Sequence, residues 1–425
     1  MQTSQMAETL IGSEIIRLAA EINALKKGGK KIFNFTIGDF DPDLFPIPEE
    51  FRLQIIRAYE EHHTNYPAAN GIPELRKSVS AFLKKYFQLD YTDDEILIAC
   101  GARPLIYAIY STILDPGDKV IYPIPSWNNN HYCHLARAEK IEIETLAQNN
   151  FMPSAAEIEP AIGDASLISL CSPLNPTGTV FSEKQLDGIC SLVIEENKQR
   201  EGKRKPVYVL YDQIYSMLTF RGHQHLNPVR RFPELRPYTI FVDGMSKAFA
   251  ATGVRVGWSF GPEHVMEKMK SILSHVGAWA PKAEQVAAAR YLAMEKKVDD
   301  FLTEIRNKID LRLEKMYTLF SAIAKNNSSI KVIEPQAAIY LTVCFDLCGY
   351  QTENGNVLQK QNDVREYLLE KSGLAIVPFS AFGTGHESPW YRVSIGTFDL
   401  AEFGELEKRL TAALSALKEP AKEPA

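Results

Sequence analysis

The chain has 425 residues, 45% of them hydrophobic and 24% charged, and its 47 basic and 53 acidic side chains leave a net charge of −6. This is the composition of an ordinary folded protein long enough for two domains, and the acidic balance speaks against a nucleic-acid partner. No run of about 18 apolar residues suggests a membrane span, and Met1 to Met6 lack the features of a secretory leader, so the cytoplasm is the expected compartment.

Apolar residues Ile15, Ile16, Leu18, Ala19, Ile22 and Leu25 recur at helical spacing, which predicts a first helix over about 13–27, capped by Ser13 and stopped by Gly28-Gly29. A strand over 31–35 then leads into Gly38 and a proline-bearing loop. From there strands and helices alternate. Strands are predicted over 95–100, 119–122, 166–171, 207–211 and 239–242, with helices over 103–114, 182–198 and around Pro233. Short apolar strands joined by helices give an α/β architecture, a mostly parallel sheet flanked by helices on both faces. A long helical stretch over about 283–324 leads to strands at 331–333, 339–345 and 391–395, read as a smaller α+β domain. The expected division is a large domain over 46–300 and a small one over 1–45 and 301–417, with a disordered tail at 418–425.

The unusual residues fall at the carboxyl ends of the predicted strands, where such sheets bind ligands. Gly101-Ala102-Arg103 sits where a strand becomes a helix, a place that favours an anion, though a tight turn would explain it equally. Trp127, after Pro125-Ser126, offers a flat face, or a piece of core. Asn175 stands in the rigid turn Ser172–Gly178. Asp212 ends a buried strand, where a carboxylate is costly unless paired, and Tyr215 follows three residues on. Lys247, beside Ser246 and near Arg255, is placed for covalent aldehyde chemistry if burial or a neighbouring cation lowers its pKa. Otherwise it is a plain surface lysine. Arg392, in an apolar strand, wants a carboxylate, from the protein or from a substrate. Neither His131/His134 with Cys133, nor His223/His225, nor Cys344/Cys348 has the companions of a metal site, and none is expected.

Taken in order, these segments resemble the fold-type-I, pyridoxal-phosphate-dependent class I/II aminotransferases, and the aspartate aminotransferases among them. The matching stretches are Ile37-Gly38-Asp39, Tyr66 to Arg76, Gly101 to Arg103, Leu114 to Asp118, Pro125 to Trp127, Asn175 to Gly178, Asp212 to Tyr215, Ser246-Lys247 with Arg255 to Gly257, and Arg392. The resemblance implies pyridoxal 5'-phosphate held covalently by Lys247 as an imine, with Lys247 also moving the Cα proton. It implies Asp212 on the pyridine nitrogen, Asn175 and Tyr215 on the ring oxygen, and Trp127 stacked on the ring. Gly101, Ala102, Arg103, Ser246 and Arg255 would hold the phosphate, and Arg392 with Gly38 the substrate α-carboxylate. Tyr66 would reach the phosphate of a neighbouring subunit, implying a homodimer with shared sites.

Some stretches depart from that pattern. Gly244 stands where some members carry a phosphate-binding serine, so Ser246 or another donor must compensate. Phe379 replaces a common glycine, Ala337-Ala338-Ile339-Tyr340 replaces a glycine-containing version, and His275 to Pro281 is unlike the usual polar loop. Arg103 occupies the position at which a subgroup uses lysine to read a distal carboxylate. The expected reaction is transfer of an amino group from an aspartate-like amino acid to a 2-oxo acid such as 2-oxoglutarate. The alternatives are an aminotransferase for aromatic or neutral amino acids, suggested by Trp279, Phe379 and Phe382, and a carbon–sulfur or β-eliminating lyase on the same scaffold.

Overall fold

The computed structural model describes residues 3–12 and 14–420. The expected cap Ser13 lies outside the described residues, as do the side chains of Ile15 and Ile16; the helix itself runs Glu14–Lys27, with Leu18 and Ile22 buried.

A seven-stranded sheet organises the larger part of the chain. In spatial order its strands are Ile96–Ala99, Gly257–Phe260, Thr239–Gly244, Tyr208–Asp212, Ala165–Cys171, Lys119–Ile124 and Glu139–Glu144. All run in one direction except Gly257–Phe260, which is antiparallel to both its neighbours. Most strands are rich in apolar residues because helices cover both faces, burying Ile96, Ile98 and Ile168 on one side and Leu97, Val120 and Leu210 on the other. Two strands go beyond the sequence expectation. Glu139–Glu144 alternates charge with isoleucine, as suits a sheet edge open to water. Gly257–Phe260 is short and holds a glycine, and its reversed direction has no sequence signature.

Helices Glu49–Glu60, Pro73–Phe87 and Glu263–Val276 add to the covering layers. The helical stretch expected over 283–324 is two helices, Lys282–Leu292 and Glu295–Asn326. The first is buried on most sides, at Ala283, Gln285, Ala287, Ala288, Tyr291 and Leu292. The second is amphipathic, with Val298, Leu302, Ile305, Ile309, Leu313, Met316 and Phe320 forming one buried stripe. The chain must break at Ala293-Met294 to meet two surroundings, and the good helix formers there do not announce it.

A second, antiparallel sheet orders Val377–Pro378, Trp390–Ser394, Tyr340–Phe345 and Ile330–Ile333. Its core takes in Phe33, Phe35, Phe40 and Phe45 from the N-terminal region, together with Tyr215 and Leu218, which follow the Tyr208–Asp212 strand. The strand expected over 31–35 pairs only through Phe33–Asn34, parallel to Leu374–Ala375. Of the tail expected from 418, Lys418 exchanges both backbone hydrogen bonds with Gln351, and residues 421–425 lie outside the described residues. Among the described residues no helix is long and apolar enough to cross a membrane.

Candidate active site

Five strands of the large sheet deliver polar residues to the same edge, because parallel strands end together. Ala99 leads to Gly101, Ile124 to Trp127, Cys171 to Asn175, Gly244 to Lys247, and Tyr208–Asp212 ends on its own carboxylate. The reversed strand begins at that edge, so Arg255 just before it arrives there too. The second sheet contributes Tyr340 and Arg392, and the N-terminal segment Ala19 and Ile37 to Asp39. Together they line a cavity of about 610 Å³.

Lys247 is half-buried, and its side chain lines the cavity. Nζ donates to the Gly38 carbonyl oxygen at 2.7 Å and lies 5.8 Å from the centre of the Tyr215 ring. Burial pushes its pKa down to about 8; Asp39 opposes the shift, and the cations of Arg392, Arg103 and Arg255 reinforce it. Asp212 moves the other way, up to about 6, again through burial, although the Ile214 N–H donates to its Oδ1 at 3.1 Å. Among the described residues no cation forms an ion pair with it. Asp243, deeper in the sheet, accepts from Gln213 Nε2 at 3.0 Å, Ser216 Oγ at 3.3 Å and the Gly244 N–H at 2.8 Å. Burial still pushes it up to about 7.

The start of helix Ala102–Ile113 suits an anion, since its cap Gly101 offers no side-chain acceptor and leaves the first N–H groups free. Gly101 adopts φ +95°, and a Cβ there would lie 2.3 Å from Arg255 Nη2. Glycine is therefore required for the guanidinium to come in beside the helix end, where Nη2 donates to the Cys100 carbonyl oxygen at 3.0 Å. Ser246 lines the cavity as well. Gly244 leaves no room for a serine: a Cβ would sit 2.8 Å from Gly257 Cα and 2.9 Å from the Val256 carbonyl oxygen.

Arg392 is 1% exposed, yet it meets no carboxylate among the described residues. Nη1 donates to Asn175 Oδ1 at 3.0 Å and Nη2 to the Thr36 carbonyl oxygen at 2.7 Å, while the buried Nε has no partner. A buried guanidinium satisfied only by neutral oxygens is suited to pairing with a carboxylate. The bond to Asn175 engages the amide oxygen and leaves its nitrogen as a donor. Gly38 is needed here too, since a Cβ would lie 2.8 Å from the Tyr340 hydroxyl and 3.5 Å from Arg392 Nη1.

All the expected site residues but one line this cavity or, like Gly101, pack directly behind it. Tyr66 does not. Its ring is 81% exposed and rests edge-on against Trp279, 5.2 Å between centres, beside a separate cavity. Arg103 is exposed, with its guanidinium 5.2 Å from the centre of the Trp127 ring, and forms no ion pair among the described residues. Of the aromatic residues noted in the sequence, Trp279 packs on Tyr66 and Phe379 is buried among Phe151 and Phe382. Only Phe382 comes close, 5.0 Å from the Arg392 guanidinium. Sequence reading did not assign Tyr340, Asp39, Thr252, Cys171 or Ala19 to the site. Thr252 was within reach, lying between Lys247 and Arg255, as were Asp39, next to Gly38, and Cys171, at the end of a predicted strand; nothing marks Tyr340 or Ala19.

The family model described as aminotransferase class I and II matches residues 30–410. The aspartate aminotransferase of Rhizobium meliloti (strain 1021) is 29% identical over 408 residues, covering 95% of this chain and 94% of that protein. That of Bacillus sp. (strain YM-2) is 28% identical over 380 residues, covering 88% and 91%. The crystal structure of the aspartate aminotransferase from Rhizobium meliloti superposes with a TM-score of 0.89 at 28% identity, covering 98% of this chain and all of that one. The chain belongs to the aminotransferase class I and II family, and it is a transaminase.

Proposed function

We propose that this transaminase uses pyridoxal 5'-phosphate and moves the amino group of an aspartate-like L-amino acid to a 2-oxo acid such as 2-oxoglutarate. The observation that carries the reading is that the Asp212 carboxylate and the buried Arg392 guanidinium, neither in an ion pair among the described residues, share one cavity with the Lys247 amine. Asp212 suits a protonated pyridine nitrogen, whose charge would remove the cost of burying the carboxylate. The helix start at Ala102 and Arg103, Ser246 and Arg255 suit the phosphate, Trp127 the ring face, and Asn175 and Tyr215 the ring oxygen. The cavity's chemistry therefore fits the cofactor on each side. The aspartate aminotransferases with which the chain aligns support the choice of substrate.

When bound at Lys247, the cofactor supplies an electron-poor ring that takes up the electron pair left at Cα. The protein's part is binding and proton transfer. Arg392 takes the α-carboxylate in a two-pronged contact, replacing its neutral partners with a charged one. Lys247 Nζ would accept the Cα proton and deliver it to the cofactor carbon two bonds away, across the nitrogen; a pKa near 8 lets it do both near neutral pH. Arg103, in no ion pair among the described residues, reads a second carboxylate on the substrate. The exposed Tyr66 ring supports a homodimer in which each subunit completes its neighbour's phosphate seat.

The test is a panel of amino acids given to the cofactor-loaded protein without an oxo acid. Aspartate should yield one equivalent of oxo acid per site and then stop, with 2-oxoglutarate restoring turnover. Continued turnover without an acceptor would make the protein a lyase, and a preference for phenylalanine over aspartate would overturn the substrate assignment.

A further inference from the structure

Two phenols meet in the cavity wall. The Tyr215 and Tyr340 hydroxyls are hydrogen-bonded to each other, both side chains are buried, and both line the cavity. A phenol carries one hydrogen, so one hydroxyl donates across the contact and the other keeps its hydrogen for the cavity. Their relative position is fixed by the backbone. Ala338 N–H donates to the Leu218 carbonyl oxygen at 2.8 Å, and Ala337 N–H to that of Gly178 at 2.9 Å. These bonds tie the start of Tyr340–Phe345 both to the segment after Tyr215 and to the turn bearing Asn175. Ala338 holds φ +60°, a costly conformation for alanine that the surrounding bonds enforce.

The direction of donation follows from the charges nearby. The Arg392 guanidinium lies 4.8 Å from the centre of the Tyr340 ring. Around the pair stand Lys247, 5.8 Å from the Tyr215 ring, Asp39 on the loop before Phe40, and Cys171 at its strand end. Burial raises both phenols and Arg392 opposes the rise in both; the guanidinium packs against the Tyr340 ring, and a cation there draws charge from that hydroxyl and makes it the more acidic of the two. The more acidic phenol is the better donor.

We propose that Tyr340 is a positioning residue for the reaction: its hydroxyl donates to Tyr215, committing the Tyr215 hydrogen to the ring oxygen of the bound cofactor. The assignment rests on the pyridoxal phosphate reading above. A chain of two hydrogen bonds polarises along its length, which strengthens the second bond by about 10–30%. That bond favours the charged ring oxygen, and therefore loss of the chromophore's proton. Weakening the chain should make the proton harder to remove.

The experiment is a pH titration of the visible absorption band of the cofactor-loaded protein. Tyr215→Phe should raise the midpoint by about 1–2 pH units. Tyr340→Phe should raise it by about 0.3 of a pH unit or more, and the double variant should match Tyr215→Phe alone. An unchanged midpoint in Tyr340→Phe, or additive shifts in the double variant, would overturn the proposal. Should Tyr340→Phe fail to fold, 3-fluorotyrosine at position 340 keeps the hydroxyl and makes it a stronger donor. It should lower the midpoint, and an unchanged or raised value counts against the proposal. Absence of any chromophore in the unmodified protein would instead defeat the cofactor reading itself.

Discussion

One wall of the cavity, bearing Trp127, Asn175, Asp212 and Lys247, hangs from the ends of a sheet covered on both faces. The other, with Gly38, Tyr340 and Arg392, is assembled from the N-terminal segment and a smaller antiparallel sheet. On the first wall the groups are placed by the backbone: Asp212 ends a strand, and the place suited to an anion is a helix start with a glycine cap. On the second they are placed by contacts between segments far apart in the chain. Arg392 leans on Asn175 and Thr36, and Gly38 accepts from Lys247. The first wall suits a ligand that never changes, and the second suits substrates that come and go.

Substitutions that separate the two walls test this contrast. Lys247→Ala should give the largest loss, on the order of 10²–10⁴-fold in turnover from proton transfer alone. It should leave oxo acid binding to the second wall nearly intact, as read by equilibrium dialysis. Arg392→Ala should lower kcat/KM by roughly 30- to 4000-fold, the range expected for truncating one partner of a buried charge pair. Affinity for pyridoxal phosphate, followed by absorbance, should stay within a few-fold. If Arg392→Ala instead abolished cofactor binding, the walls would not be separable. Arg103→Ala should reduce the preference for aspartate over alanine by about tenfold, the value of one charged hydrogen bond; an unchanged ratio removes Arg103 from substrate recognition.

Smaller effects come from titration of the first wall. Capture of pyridoxal phosphate by the cofactor-free protein needs a neutral amine, so its rate should climb between about pH 7 and 9, following the Lys247 value of about 8. A flat profile in that window would show that the amine is not the titrating group. Asp212 and Asp243, at about 6 and 7, hold protons in the folded state that the unfolded chain releases near 4. Their protonated forms are thus favoured by folding, and stability should fall as pH rises from about 4 to 7. Asp243→Asn should flatten the upper part of that decline in thermal melts of the cofactor-free protein. A slope identical to that of the unmodified protein would show that Asp243 is not its source.

Much of the first wall was legible in the sequence because its residues follow apolar strands directly. Gly101, Trp127, Asn175, Asp212 and Lys247 each stand within a few positions of a strand end, and parallel strands end at one edge. Arg392 was legible as a misfit, a cation in an apolar strand. Tyr340 was not, since one buried tyrosine in an antiparallel strand looks like any other until its hydroxyl is seen against Tyr215. Ala19 and Asp39 belong to segments with no intrinsic tie to the sheet. The reversal of Gly257–Phe260 was hidden for a related reason: a short buried strand has the same apolar pattern in either direction.

Local patterning by itself determined the alternation of strand and helix, and with it the edge at which chemistry would gather, because both depend on period and turn residues close in sequence. Tertiary structure alone decided the break at Ala293-Met294, the burial that brings Lys247 to about 8, and the bond between the Tyr340 and Tyr215 hydroxyls. Each depends on which distant segment removes water from a group, and no local period records that.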